Sequence, residues 1–128
     1  MQGAILIFGG NKKERLQKAE ELTSPAKPKK ENNPDLMRIP PEKGKSNIGI
    51  EKAREIIKFL AQKPYESNAK LVLIEDAHLL NKQAQNALLK TLEELPKYAT
   101  VILECRDKKD LLETVISRCQ LIQLTNTQ

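Results

Sequence analysis

The segment Lys70-Leu-Val-Leu-Ile-Glu-Asp76 decides the fold of this chain. Its four consecutive apolar residues are typical of a strand that is buried on both faces, as strands of parallel sheets are. The segment is too short for a buried helix, and it runs directly into two carboxylates. We therefore predict a central parallel strand that delivers Glu75 and Asp76 to one edge of a sheet.

Strand-like and helix-like segments alternate on both sides of this strand. Apolar runs predict further strands at residues 4–8, 35–39, 100–103 and 119–124. Apolar spacing of three and four residues predicts helices at 51–62 and 81–94. Capping residues predict two more helices, at 11–22 and 107–115. This alternation predicts an α/β fold, a three-layer sandwich with a parallel sheet at its centre.

Composition excludes several classes of protein. The 128 residues suit one domain, and a charged fraction of 30% without a long apolar run argues against a membrane protein. The first residues lead straight into a strand, so we expect no targeting peptide. Cys105 and Cys119 are too few for a disulfide framework, and we expect them to stay unlinked in a cytoplasmic protein.

The net charge of +5 is unevenly placed. Residues 1–68 hold 14 Lys and Arg against 9 acids, whereas residues 69–128 hold 8 against 8. A basic half could contact a phosphate backbone, which leaves an independent nucleic-acid-binding protein open as a weaker alternative. We favour a solvated lysine-rich loop, because no aromatic residues for base stacking lie among these lysines.

Residues 71–81, followed by residues 84–94, resemble the clamp-loader family of AAA+ ATPases. In that family the acids after the strand are the Walker B pair, which serves the Mg²⁺ and the attacking water. The resemblance includes residues 33–36, residues 48–54 and the motif Ser117-Arg118-Cys119. Bacterial gamma and delta-prime subunits are the most similar members. The resemblance implies a RecA-like P-loop core whose five parallel strands take the order 5-1-4-3-2.

The phosphate-binding loop departs from the family pattern. A P-loop needs a second Gly, a Lys and a hydroxyl, so that backbone N–H groups and the ammonium bind phosphate. Counted from Gly9, which Gly10 follows, those positions hold Glu14, Arg15 and Leu16. Glu14 also places a carboxylate at the helix start where an anion would bind. We therefore expect no nucleotide cofactor, and we expect Asn11 and Glu14 to close the loop as a capping box.

The other nucleotide motifs are altered as well. Active relatives have Asp before Glu, and this chain has Glu75 before Asp76. The sensor-like position after the fourth strand holds Cys105 and Arg106 where an active relative carries Thr or Asn. We therefore expect this chain not to be an enzyme by itself. An ATP-binding or ATPase subunit with an atypical P-loop remains the alternative.

The resemblance assigns Arg118 as an arginine finger, flanked by Ser117 and Cys119, that acts in trans on the ATP of a neighbouring subunit. The competing interpretation is a surface arginine beside a helix C-terminus. The implied partners are other clamp-loader subunits, with the sliding clamp and primer-template DNA as further candidates. Lys12, Lys13 and Arg15 could hold an anion, but we favour a solvated helix face for them.

Two features of the family are missing from this sequence. Relatives often carry a four-cysteine zinc module after the first helix, but residues 23–34 contain no Cys, so we expect no zinc or other metal. The chain ends at Gln128, just after the last predicted strand. We therefore expect a single core domain over residues 1–128, largely loop at 23–47 except for a strand at 35–39, without lid or collar.

Overall fold

A computed structural model gives the structure of residues 3–23, 34–41, 44, 47–65 and 68–125. Most of the predicted loop at 23–34, and much of the lysine-rich segment, lie outside the described residues. The described part contains five strands: β1 (Gly3–Gly9), β2 (Leu36–Ile39), β3 (Lys70–Ile74), β4 (Ala99–Glu104) and β5 (Gln120–Leu124).

The five strands form one sheet in the order β2-β3-β4-β1-β5, and every neighbouring pair is parallel. Read from the other edge, this is the predicted order 5-1-4-3-2, which is thereby confirmed. In the register, Leu6 lies between Leu103 of β4 and Leu121 of β5. Because all strands are parallel, the residues that follow them meet at one edge, which we call the carboxyl edge.

The helices cover both faces of the sheet. They are α1 (Lys12–Thr23), α2 (Ile50–Ala61), α3 (Lys82–Glu93) and the short α4 (Glu113–Ile116). The larger core cluster contains Leu6 and Phe8 of β1 together with residues of α2, α3 and α4. The smaller cluster contains Ile5 and Ile7 with Ala19 of α1. Alternate residues of β1 therefore face opposite helical layers, which gives the predicted three-layer sandwich.

The prediction of one helix over residues 107–115 is wrong. A 3-10 helix at Lys108–Asp110 is separated from α4 by two extended residues, Leu111 and Leu112. The side chain of Leu111 is buried in the core, and the backbone N–H of Leu112 donates to Oε1 of Gln85 at 2.8 Å. These contacts with residues distant in the sequence stabilise the extended conformation of Leu111 and Leu112, which separates the two helices. The capping role predicted for Asp107 is confirmed, because its side chain accepts from the N–H of Lys109.

The two cysteines are free thiols, as predicted. Cys105 follows the end of β4 and Cys119 precedes the start of β5, and these strands lie on either side of β1. These two strands are about 10 Å apart and the cysteines lie beyond opposite ends of them, a separation that a disulfide cannot span. Among the described residues, no helix has the length and apolar character needed to cross a membrane.

Replacing Leu88 with Ala should lower the free energy of unfolding by about 2–5 kcal/mol, the usual cost of truncating a buried leucine. Leu88 lies on the inward face of α3, where Ala84, Leu88 and Leu92 are all buried. Urea denaturation measures the loss. The control is Lys90→Ala on the exposed face of α3, which should change stability by less than about 0.5 kcal/mol. Equal losses for both variants would contradict the packing of this helix.

Candidate functional site

The loop between β1 and α1 is closed by its own side chains. The backbone N–H of Asn11 donates to Oε1 of Glu14 at 3.0 Å, and the N–H of Glu14 donates to Oδ1 of Asn11 at 2.8 Å. This reciprocal pair is the predicted capping box, and it is confirmed. Gly9 has a φ of +84°, and a Cβ on it would overlap the backbone oxygen of Leu124. Gly9 is therefore required by the close approach of β5.

Arg15 does not lie on a solvated helix face, and that prediction is wrong. Its side chain is buried, with the residue only 5% exposed. Nε donates to Oε2 of Glu104 at 2.6 Å, and one terminal nitrogen donates to the carbonyl oxygens of Gly9 and Gly10 at 2.9 and 3.0 Å. The guanidinium thus crosses the interior of the loop and bonds it to the end of β4. Lys13 is exposed, as predicted.

The paired acids after β3 are bound to cations of the same chain. Glu75 is buried and accepts from Nε of Arg38 on β2 at 2.5 Å. Asp76 accepts from Nζ of Lys12 at 2.6 Å, so Lys12 is also not simply solvated. Nζ of Lys12 lies 3.8 Å from Oε1 of Glu75. Asp76 has a φ of +48°, the only non-glycine residue with a positive φ among those described.

Glu104, the last residue of β4, lies at the centre of these contacts. It is fully buried, and its Oε1 accepts from the backbone N–H of Asp76 at 2.9 Å while Oε2 accepts from Arg15. Nζ of Lys12 lies 4.0 Å from the same Oε1. The bond to the Asp76 N–H helps to hold that residue in its left-handed conformation, which costs free energy outside glycine.

We call these six residues the carboxyl-edge network. It consists of the cations Lys12, Arg15 and Arg38 and the carboxylates Glu75, Asp76 and Glu104. With every member ionised, the three positive and three negative charges cancel. Buried charges are tolerated only when paired and hydrogen-bonded, and each member of this network has an oppositely charged partner. The network joins α1, β2, β3 and β4 where a P-loop protein binds nucleotide.

The network does not fit ATP or Mg²⁺, the ligands that a P-loop core binds. Nε and one terminal nitrogen of Arg15, and the backbone N–H of Glu14, are already bonded to groups of the chain instead of being presented to a phosphate. The position of the Mg²⁺-binding hydroxyl holds Leu16, and both carboxylates after β3 already accept from cations. Among the described residues, no three potential metal ligands form a group that could hold an ion.

The sensor-like residues do not join the network. Cys105 is buried, and its thiol donates to the carbonyl oxygen of Asp107 at 3.3 Å. Burial, with a smaller contribution from the Glu104 carboxylate, raises the pKa of Cys105 to about 12. A neutral thiol in such a place is a packing residue and a poor nucleophile. The side chain of Arg106 is exposed beside a small cavity that Arg15 and Asp76 also line.

The Ser117-Arg118-Cys119 motif lies at the opposite edge of the sheet from the network. It connects α4 to the first residue of β5, whereas Gly9 ends the neighbouring strand. One terminal nitrogen of Arg118 donates to the carbonyl oxygen of Thr114 at 2.8 Å, and the other lies 3.4 Å from Oε2 of Glu93. Its Nε is buried without a hydrogen-bond partner among the described residues. The carbonyl contact at the end of α4 is the one expected of an arginine near a helix C-terminus.

The side chain of Ser117 donates to the carbonyl oxygen of Thr114 at 3.0 Å, within the last turn of α4. Cys119 packs against the larger core cluster, and burial raises its pKa to about 11. The hydroxyl of Ser117 thus bonds within its own helix end, and Cys119 serves core packing. Arg118 is the motif residue with an N–H donor, Nε, that has no hydrogen-bond partner among the described residues.

Sequence reasoning missed Arg38 and Glu104. Arg38 lies on the predicted second strand, which pairs with the strand that leads into the acids. A cation on that neighbouring strand was the signal available in the sequence. Glu104 is a carboxylate that ends an apolar strand, as Glu75 is, and the same argument from the carboxyl edge could have found it. The pairing with Arg15 joins residues 89 positions apart and has no signal in local sequence.

Comparison with known proteins identifies the family of this chain. The family model for DNA polymerase III, delta subunit, matches residues 2–128. The delta' subunit of DNA polymerase III from Yersinia pestis is 44% identical over 88 residues, which cover 69% of this chain and 26% of that protein. The Escherichia coli K12 delta' subunit is 43% identical over 89 residues, which cover 70% and 27%.

A solved structure agrees with these matches. A gamma subunit-related protein of DNA polymerase III from Thermotoga maritima superposes with a TM-score of 0.85 at 34% identity, over 99% of this chain and 42% of that one. The chain spans about a quarter of the length of the delta' relatives it matches. By its sequence and its fold, this chain belongs to the DNA polymerase III delta subunit family.

Proposed function

We propose that this chain is the core of a clamp-loader subunit that acts in DNA replication without hydrolysing ATP itself. The similarity to delta' and gamma subunits of DNA polymerase III supports the role in replication. The observation that carries the second part is the position of Arg15. The residue at the place of the P-loop lysine is buried, its charge is paired with Glu104, and its Nε and one terminal nitrogen are bonded to Glu104, Gly9 and Gly10 instead of being presented to a phosphate.

The chain then contributes to a complex through its surface and through Arg118. The partners are other clamp-loader subunits, and the complex as a whole meets the sliding clamp and primer-template DNA. Arg118 lies about five strand residues, or roughly 17 Å, from the edge that carries the network of its own chain. That separation favours action on the nucleotide of a neighbouring subunit. A guanidinium there stabilises charge on the transferred phosphoryl group.

The proposal predicts that ATP with Mg²⁺ does not bind to this chain at neutral pH. Isothermal titration calorimetry measures the affinity, with an ATP-binding gamma subunit as the positive control. We expect no heat of binding up to about millimolar ATP, because the carboxylates of the site are paired with cations of the chain and Arg15 is paired with Glu104. A micromolar Kd would contradict the proposal and favour an ATP-binding subunit with an atypical P-loop.

A further inference from the structure

We infer that Glu104 is an internal anion that pairs with Arg15, the residue at the place of the P-loop lysine, and that the charge balance it completes keeps free anions out of the carboxyl-edge network. This inference deepens the proposed function and rests on it. The changes within the P-loop are then only part of the reason why nucleotide is excluded. The other part is a carboxylate 89 residues away from Arg15 in the chain.

The contacts of Glu104 are of the kinds that a phosphate receives. Its two oxygens accept from a guanidinium and from a backbone N–H, and an ammonium lies 4.0 Å away. Guanidinium, backbone amide and ammonium are also the groups with which proteins bind phosphate. Glu104 is fully buried, so its contacts with Arg15 and with the N–H of Asp76 are screened from solvent, whereas the side chain of Lys12 is partly exposed.

The charge balance of the carboxyl-edge network also depends on Glu104. A neutral side chain at position 104 leaves three cations against Glu75 and Asp76, and the uncompensated cation would be Arg15, which is 5% exposed. A buried charge without a counter-ion is unfavourable, so the site would gain affinity for a small anion. An anion can approach through the cavity lined by Arg15, Asp76, His78, Arg106 and Asp110. The Arg106 guanidinium adds positive charge there, and the carboxylates of Asp76 and Asp110 oppose it, so the charge at position 104 decides the balance.

Glu104→Gln tests the inference, because glutamine has the same shape and can still accept from the N–H of Asp76. The probe is inorganic pyrophosphate, titrated by calorimetry at neutral pH and low salt. We expect the variant to bind at least about tenfold more tightly than the unchanged chain, since a charge-assisted contact to Arg15 becomes available. Glu113→Gln, the same charge change at an exposed position of α4, should leave pyrophosphate binding unchanged.

A second variant distinguishes binding at Arg15 from general attraction to a more basic protein. Arg15→Gln combined with Glu104→Gln should lose the gained affinity. A folded Glu104→Gln chain that binds pyrophosphate no better than the unchanged chain would overturn the inference and leave the proposed function intact. ATP binding by the unchanged chain would instead overturn the proposed function.

The inference stays testable if Glu104→Gln does not fold. Asp76 belongs to the same network, but its side chain is 21% exposed, so Asp76→Asn disturbs the interior less. It removes the closest partner of Lys12 and gives the network the same net charge of one positive unit. Pyrophosphate should again bind more tightly than to the unchanged chain, in this variant through Lys12. A folded Asp76→Asn chain with unchanged affinity would overturn the inference that the charge balance of the network keeps anions out.

Discussion

The ATPase rate of an assembled clamp loader should fall by about 10³- to 10⁵-fold when Arg118 of this chain is replaced with alanine and the chemical step limits turnover. The stability of the chain itself should change by less than about 0.5 kcal/mol, as for other surface substitutions. The present contacts of Arg118 are to Thr114 and, at 3.4 Å, to Glu93. Partly exposed ion pairs contribute little, so the side chain can leave them at small cost.

The experiment needs a complex with a cognate ATP-binding subunit, stimulated by DNA and by the sliding clamp. Arg118→Lys should restore little of the rate, because an ammonium lacks the planar fork of the guanidinium. Lys90→Ala is the control, since it removes an exposed cation on α3 one helical turn before Glu93. Equal ATPase rates for complexes with the unchanged chain and with Arg118→Ala would contradict the arginine-finger role and leave Arg118 as a surface residue without a part in hydrolysis.

Replacing Arg15 with alanine should lower the free energy of unfolding by about 3–5 kcal/mol. The change leaves the fully buried Glu104 without its closest cation and removes the donor to the carbonyl oxygens of Gly9 and Gly10. The cost arises from the uncompensated charge and from the unsatisfied carbonyl groups. Chemical denaturation of the isolated chain measures it, with Arg54→Ala on the exposed side of α2 as the control.

A double variant separates the two sources of this cost. Arg15→Ala combined with Glu104→Ala should lose less stability than the sum of the two single variants, because no lone buried charge remains. Additive losses would mean that the two side chains contribute independently. A loss for Arg15→Ala no larger than that for Arg54→Ala would contradict the burial of this guanidinium.

Most of the fold could be predicted from local sequence. The strands are continuous apolar runs, and α2 and α3 have apolar residues at helical spacing, so their order and type follow from short segments. The strand order required the family resemblance. The break at Leu111 and Leu112 could not be predicted, because it depends on a hydrogen bond to Gln85 and on burial of Leu111 in a core built by distant elements.

The candidate site was only partly predictable, for the same physical reason. The capping box of Asn11 and Glu14 is local, and its geometry follows from residue spacing. The environment of Arg15 depends on a residue distant in the sequence, because its ionic partner Glu104 belongs to β4 and lies 89 positions away. Helical periodicity alone predicts that a charged residue on a helix is solvated. A counter-ion from a distant part of the sequence, which periodicity does not reveal, changes that outcome. The exclusion of nucleotide stays a prediction until binding is measured.

The covalent attachment of Glu104 to the same chain has a thermodynamic consequence. A protein that binds a ligand only when folded gains stability with ligand concentration, by RT ln(1 + [L]/Kd), so its melting temperature depends on the supply of that ligand. Here the anion beside Arg15 is part of the chain and cannot be diluted or exchanged. Under the proposed function, the stability of this domain is therefore independent of the ATP concentration, and its conformation need not follow the nucleotide cycle of its neighbours.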